Sequence, residues 1–143
     1  MDKIPLIHSD EDEEPRISGQ TFCQLFDNHS QFDEFFIVDC RTEREYNGGH
    51  IKSAIRCHPF EKENNIFNLY RLHWKPTTCF IFHCEFSSIR GPAAYRLFIK
   101  EHQNSNNSNI PVNAFILDGG YNEFFSDHED YCVGTYIKEI DLK

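Results

Sequence analysis

Cys79-Phe80-Ile81-Phe82-His83-Cys84-Glu85-Phe86-Ser87-Ser88-Ile89-Arg90-Gly91-Pro92 is the stretch that decides the fold. The run from Cys79 to Phe82 is apolar on both faces, as a central parallel strand must be. Pro92 suits the first turn of a helix, where its missing N–H leaves nothing unsatisfied. Between strand and helix lie a Cys, five residues and an Arg. Backbone N–H groups of residues 85 to 90 can turn inward and cradle an anion, helped by the helix N-terminus. Arg90 can fork two oxygens of a phosphate. The same positive potential is expected to lower the pKa of Cys84 toward the thiolate, the form that attacks. A thiolate beneath a bound phosphate implies in-line transfer to sulfur, followed by hydrolysis of a phosphocysteine. Spacing alone does not establish this, because about 0.3 such Cys–Arg pairs arise by chance in a chain of this composition. The strand–loop–helix context and the preceding His83 carry the argument.

The chain has 143 residues, the length of one domain, with fourteen Phe for a single core. Its formal net charge is −9. Residues 1–14 hold six acids and one Lys, leaving −4 for the remainder. No broad basic face is evident, which argues against nucleic acid as a partner. No signal peptide or membrane-length apolar run occurs, so no membrane association is expected. The six Cys (23, 40, 57, 79, 84, 132) include no C-x-x-C pair and point to a reduced, intracellular setting. Cys57-His58 has poor spacing for zinc, and no metal or cofactor is expected.

Along the chain, residues 1–15 read as an acidic mobile tail, with Ser9 before an acidic run, and 16–143 as the catalytic domain. Ser18 is placed to cap a helix over 19–27. Phe35-Phe36-Ile37-Val38-Asp39 reads as a second parallel strand, and Asp39-Cys40-Arg41 leaves its C-terminal end, where active residues of open parallel sheets gather. A short helix from Thr42 stops at Gly48-Gly49. His50 is expected to hold a turn rather than catalyse. A helix is expected over about 59–72. Ala93, Ala94, Leu97 and Phe98 give the stripe of the helix after the loop. Ala114-Phe115-Ile116-Leu117 reads as a third strand. Asp118-Gly119-Gly120-Tyr121 then turns into a last helix beside the loop. The fold class is α/β, three layers with a mainly parallel sheet and helices on both faces.

His83-Cys84-Glu85-Phe86-Ser87-Ser88-Ile89-Arg90-Gly91-Pro92 resembles the signature loop of the M-phase inducer phosphatases, dual-specificity enzymes that activate cyclin-dependent kinases. Asp39-Cys40-Arg41, Glu45-Tyr46 and Gly49-His50-Ile51 resemble the rhodanese-fold module to which those phosphatases belong. Gly119-Gly120-Tyr121 through Phe125, and Cys132 to Tyr136, extend the likeness over about 17–136. The resemblance implies a rhodanese-like domain with Cys84 as nucleophile and Arg90 on the transferring phosphate. Residues 85–89 would donate backbone N–H groups, Ser87 or Ser88 would assist the thiolate, and Glu85 is the nearest candidate acid, unless a monoprotonated substrate brings its own proton. In that family the Cys of Asp-Cys-Arg lies near the nucleophile and can form a protective disulfide with it. Cys40 matches that position, and a low-pKa thiolate oxidises first.

The implied substrate is a phosphorylated cyclin-dependent kinase–cyclin complex, and the implied location is nucleus or cytoplasm. The resemblance further implies that the seven positions 84–90 suit a tetrahedral oxyanion, where a rhodanese-type sulfurtransferase has one residue fewer. An arsenate reductase of the same fold and loop length, resolved by a thiol such as glutathione, is the alternative enzyme. A non-catalytic phosphoprotein-binding module is the third reading, against which Cys84 and Arg90 stand intact. Two positions depart from the family: Ile89 where many members have Glu, and Ala93 where Arg is frequent. The sequence carries neither a long N-terminal regulatory region nor an extended C-terminal docking helix, so a minimal enzyme and an isolated catalytic module both fit.

Overall fold

Residues 4–9, 12–62 and 65–136 are described by the computed structural model. In chain order the elements are β1 (Ile7–Ser9), β2 (Asp12–Ile17), α1 (Gly19–Asp27), β3 (Glu34–Asp39), α2 (Glu43–Gly48), β4 (Gly49–Ile51), β5 (Ile55–Arg56), α3 (Ile66–His73), β6 (Thr78–His83), α4 (Arg90–Gln103), β7 (Asn113–Leu117), α5 (Gly120–Asp127) and, after one 3₁₀ turn, β8 (Cys132–Gly134). The main sheet runs β1-β2-β7-β6-β3-β5. Its pairs are parallel except β1 with β2. β4 and β8 form a separate antiparallel pair.

Strand alternation divides the core in two. Cys79 and Ile81 of β6 face Phe22 and Leu25 of α1 and Tyr121 and Phe124 of α5. Phe80 and Phe82 face Ile66, Leu69 and Tyr70 of α3 and Ala94 and Phe98 of α4. Every residue of β6 is buried, which is why its sequence shows no polar alternation. The β6 strand sits between β3 and β7, so whatever leaves its C-terminal end lies at the middle of the molecule.

Caps set the helix boundaries. The Ser18 side chain accepts from the Thr21 N–H and starts α1 at Gly19. Thr42 and Glu45 form a reciprocal capping box on α2. The helix expected over 59–72 begins at Ile66 instead, because the Asn65 side chain accepts from the Asn68 N–H and caps it there. Among the described residues before it, Pro59 and Phe60 form a turn beside an Arg56–Glu61 ion pair of 2.9 Å.

The segment expected to be an acidic mobile tail behaves differently in its described part. It supplies β1 and most of β2, and Arg16 and Ile17 pair with Ile116 and Leu117 of β7. Without β2, one side of β7 would present unpaired backbone groups. Pro15, which has no N–H to donate, sits just before that pairing begins. Ser9 lies in β1.

Candidate active site

The loop after β6 is shaped by what holds its carbonyls. The Tyr121 N–H donates to Cys84 O and the Asn122 N–H to Glu85 O, both at 2.9 Å. In a planar trans peptide the carbonyl and the next N–H point in opposite directions. The first turn of α5 therefore turns the N–H groups of Glu85 and Phe86 away from itself, toward the concave side of the loop. Arg16 does the same one step further on, where its Nη2 donates to Ser87 O at 3.0 Å and Nη1 pairs with Asp118 at 3.2 Å. A Cβ on Gly120, whose φ is +64°, would stand 2.4 Å from Glu85 O, so only glycine lets α5 come this close. Ser87 adopts φ +55°, a left-handed conformation rare for a residue with a side chain. Its Oγ is buried with no hydrogen-bond partner among the described residues. Phe86 and Ile89 are exposed at the mouth, whereas Cys84 is only 2% exposed at the floor.

Arg90 opens α4 and reaches back to Glu45. Its Nη1 and Nη2 donate to the two carboxylate oxygens at 2.6 and 3.2 Å. Burial works to raise the Glu45 pKa, but Arg90 and the Thr42 N–H outweigh it and hold the carboxyl below its ordinary value. The capping box therefore has a second task, which is to aim the arginine. Two of five guanidinium N–H donors are used this way.

Beneath the loop lies a buried ionic cluster. Arg41, fully buried, donates to both oxygens of Asp39 and to Gly49 O at 2.7 Å. Its Nη1 lies 3.4 Å from Glu85 Oε1, and its guanidinium stacks 4.2 Å from the Tyr121 ring. The Tyr136 hydroxyl donates to the other Glu85 oxygen. Burial pushes the Glu85 pKa up, and Tyr136 and Arg41 offset it only in part. Burial also works to raise Asp39, yet the Arg41 guanidinium, bonded to both its oxygens, holds it below the usual range. His83, pushed by burial toward the neutral form, donates from Nδ1 to Cys84 O at 3.0 Å. Glu85, expected as a candidate acid, thus has its oxygens committed to Arg41 and Tyr136 and no exposed surface. In this arrangement it braces the loop from below.

Cys40 lies where the β3–β6 register puts it. The Cys40 N–H donates to His83 O at 2.7 Å, the bond that sets Cys40 opposite Cys84 in a parallel ladder. Burial, with Cys84 nearby, pushes the Cys40 pKa well above its ordinary value. His50 stacks on Tyr46 at 3.8 Å, with Nδ1 at 2.9 Å from Tyr46 O, and holds the turn between α2 and β4. Sequence reasoning named Cys84, Arg90 and Cys40. It did not name Glu45, Arg41, Arg16 or Tyr136 as parts of the site. The Thr-x-x-Glu spacing at 42–45 was a readable signal for Glu45. Arg16 had none, because its contact spans 71 residues of sequence.

The family model of a rhodanese-like domain matches residues 23–127. The chain is 39% identical over 123 residues to M-phase inducer phosphatase 3 of Xenopus laevis, covering 81% of this chain and 22% of that protein. It is 43% identical over 108 residues to human M-phase inducer phosphatase 2, covering 70% of this chain and 18% of that protein. The chain thus spans less than a quarter of the length of these curated relatives. Among solved structures, a yeast protein tyrosine phosphatase of the rhodanese family has a TM-score of 0.68 at 22% identity, covering 88% of this chain and 96% of that one. The As-Sb reductase of Leishmania major also has a TM-score of 0.68, at 21% identity, covering 89% of this chain and 94% of that one.

Proposed function

The chain belongs to the rhodanese-like domain family, and from that membership we propose that it is a cysteine-dependent protein phosphatase of the M-phase inducer type. The observation that carries the proposal is the seven-position loop from Cys84 to Arg90, whose carbonyls are pulled outward by α5 and Arg16. Its N–H groups are thereby left for three phosphate oxygens. Cys84 attacks phosphorus in line, the ester oxygen leaves, and water then hydrolyses the phosphocysteine. Arg90, aimed by Glu45, and the loop amides stabilise the equatorial oxygens of the loose transition state. Ser87 Oγ serves the Cys84 sulfur as it leaves the phosphoryl group. We assign the leaving-group proton to the monoprotonated substrate. Glu85 acts on position, through Arg41.

The substrate proposed is a cyclin-dependent kinase–cyclin complex carrying inhibitory Thr and Tyr phosphates, met in the nucleus or cytoplasm. This step rests on the likeness to the inducer phosphatases. The Cys40–Cys84 register further supports a reversible protective disulfide. Residues facing each other across neighbouring strands have Cα atoms about 4.8 Å apart, inside the range a disulfide spans.

The test is hydrolysis of a doubly phosphorylated kinase–cyclin complex beside a small aryl phosphate. Cys84→Ser should abolish turnover of both while keeping vanadate binding. Retained turnover in Cys84→Ser overturns the nucleophile assignment. Turnover of the aryl phosphate alone overturns the kinase substrate, and arsenate with glutathione then tests for a reductase.

A further inference from the structure

Three cysteines stand in a row across three neighbouring strand ends. The Cys57 N–H donates to Asp39 O at 2.9 Å, as the Cys40 N–H donates to His83 O at 2.7 Å. In a parallel ladder the first bond sets Cys57 opposite Cys40, and the second sets Cys40 opposite Cys84. The registers Val38↔Ile55 and Val38↔Phe82 agree. All three side chains belong to the same buried cluster, on the α3–α4 face of the sheet. Each neighbouring pair has Cα atoms about 4.8 Å apart, which a disulfide spans. Cys57 and Cys84 are two strands apart, about 9.6 Å, which it does not. Cys40 is therefore the shared partner. Cys57 also lines a cavity of about 200 Å³ between β5 and α3, with Ile55, Asn68, Leu69 and Leu72. That cavity lies on the outer edge of the sheet, away from the phosphate loop.

We propose that Cys57 is a thiol–disulfide exchange site that takes the disulfide from Cys40, returns Cys84 as a thiolate, and is itself reduced by a small thiol of the glutathione type entering the β5–α3 cavity. The proposal rests on the reading of Cys84 and Cys40 given above. A peroxide oxidises the Cys84 thiolate to a sulfenic acid. The Cys40 thiol then displaces water and forms Cys40–Cys84. Cys57, losing its proton to solvent, attacks Cys40 sulfur, and the Cys40–Cys84 bond breaks with its electron pair on Cys84. The resulting Cys40–Cys57 disulfide is reduced by two equivalents of external thiol, released as the oxidised dimer. Burial raises the pKa of Cys57 to about 12, so it rests as a thiol between cycles.

Two experiments separate this site from the reading beneath it. In the first, the protein is treated with hydrogen peroxide and then catalase, trapped by alkylation at intervals and peptide-mapped, with aryl phosphate turnover followed in parallel. Cys40–Cys84 should appear first and Cys40–Cys57 should replace it as turnover returns without added reductant. Cys57→Ala should have unchanged turnover when reduced and recover about tenfold more slowly. Equal recovery in Cys57→Ala, or Cys57 remaining alkylatable throughout, overturns the proposal. In the second, Cys84→Ser, which needs no phosphatase activity, is treated with oxidised glutathione. Formation of Cys40–Cys57 supports the exchange site, and a glutathione adduct that never resolves to it, or no reaction, overturns it. Failure of Cys40–Cys84 to form in the first, with Cys40–Cys57 forming in the second, assigns the fault to the protective-disulfide reading instead.

Discussion

Single residues of the site divide into those proposed to do chemistry and those that position them. Ser87 combines a strained backbone with a buried, unpartnered hydroxyl. Left-handed backbone at a non-glycine residue costs about 1–3 kcal/mol. Ser87→Gly should therefore raise stability by about 1 kcal/mol while lowering turnover, as read by chemical denaturation beside aryl phosphate kinetics. A fall in both would show that the hydroxyl is structural. Glu45 aims Arg90, and its pKa is lowered in the fold, mainly by Arg90 acting against burial. A depressed carboxyl contributes stability that is complete above the unfolded value of about 4.3 and is lost as pH falls through the lower folded value. Glu45→Gln should flatten the acid limb of a Tm-against-pH series below about pH 4. It should also weaken vanadate binding by about tenfold, since an unaimed guanidinium gives up the geometry of its charged hydrogen bonds. An unchanged vanadate affinity would remove Glu45 from the site. Cys84 and Arg90 were legible in the linear order, one at the end of a hydrophobic run and the other opening the helix after it, whereas Cys40 was named through the family resemblance. Glu85 was legible only as a neighbour. Its contacts with Arg41 and Tyr136 come from 44 and 51 residues away.

At the scale of elements, the loop is a joint between β6, α4, α5 and β2. α4 can start immediately behind it because Gly91 packs on the His83–Cys84 backbone, where a Cβ would lie 3.3 Å from Cys84 N. β2 reaches the loop through one side chain, Arg16. A charged hydrogen bond of this kind contributes about 1.5–3 kcal/mol. Arg16→Ala should raise amide exchange over residues 85–89 and reduce turnover, while exchange in β6 stays slow. Exchange unchanged over 85–89 would show that α5 alone shapes the loop. The elements with clear periodicity, α1, β3, β6, α4 and β7, were expected close to where they lie. α3 began late because an asparagine cap overrode the apolar stripe before it. β5 and the β4–β8 pair are two or three residues long. Strands so short carry no alternation to read.

For the molecule as a whole, one sheet separates two cores that share it. Neither core can loosen without exposing the other side of the same strands. Phe22→Ala on one face and Phe98→Ala on the other should each cost about 3–5 kcal/mol. Both should lower the midpoint of one denaturation transition without changing its slope, as a single cooperative unit requires. A second transition in either variant would mean that the two faces melt separately. Hydrophobic runs of the right length and period pointed to the α/β class and the central strand, and the Cys-to-Arg spacing after that strand marked the loop, because these features are local in the chain. Which carboxylate holds Arg90, which arginine ties the loop, and which cysteine stands on the far side of Cys40 depended on strand order and register. Those are set by pairing and packing between segments far apart in sequence, and no local periodicity encodes them.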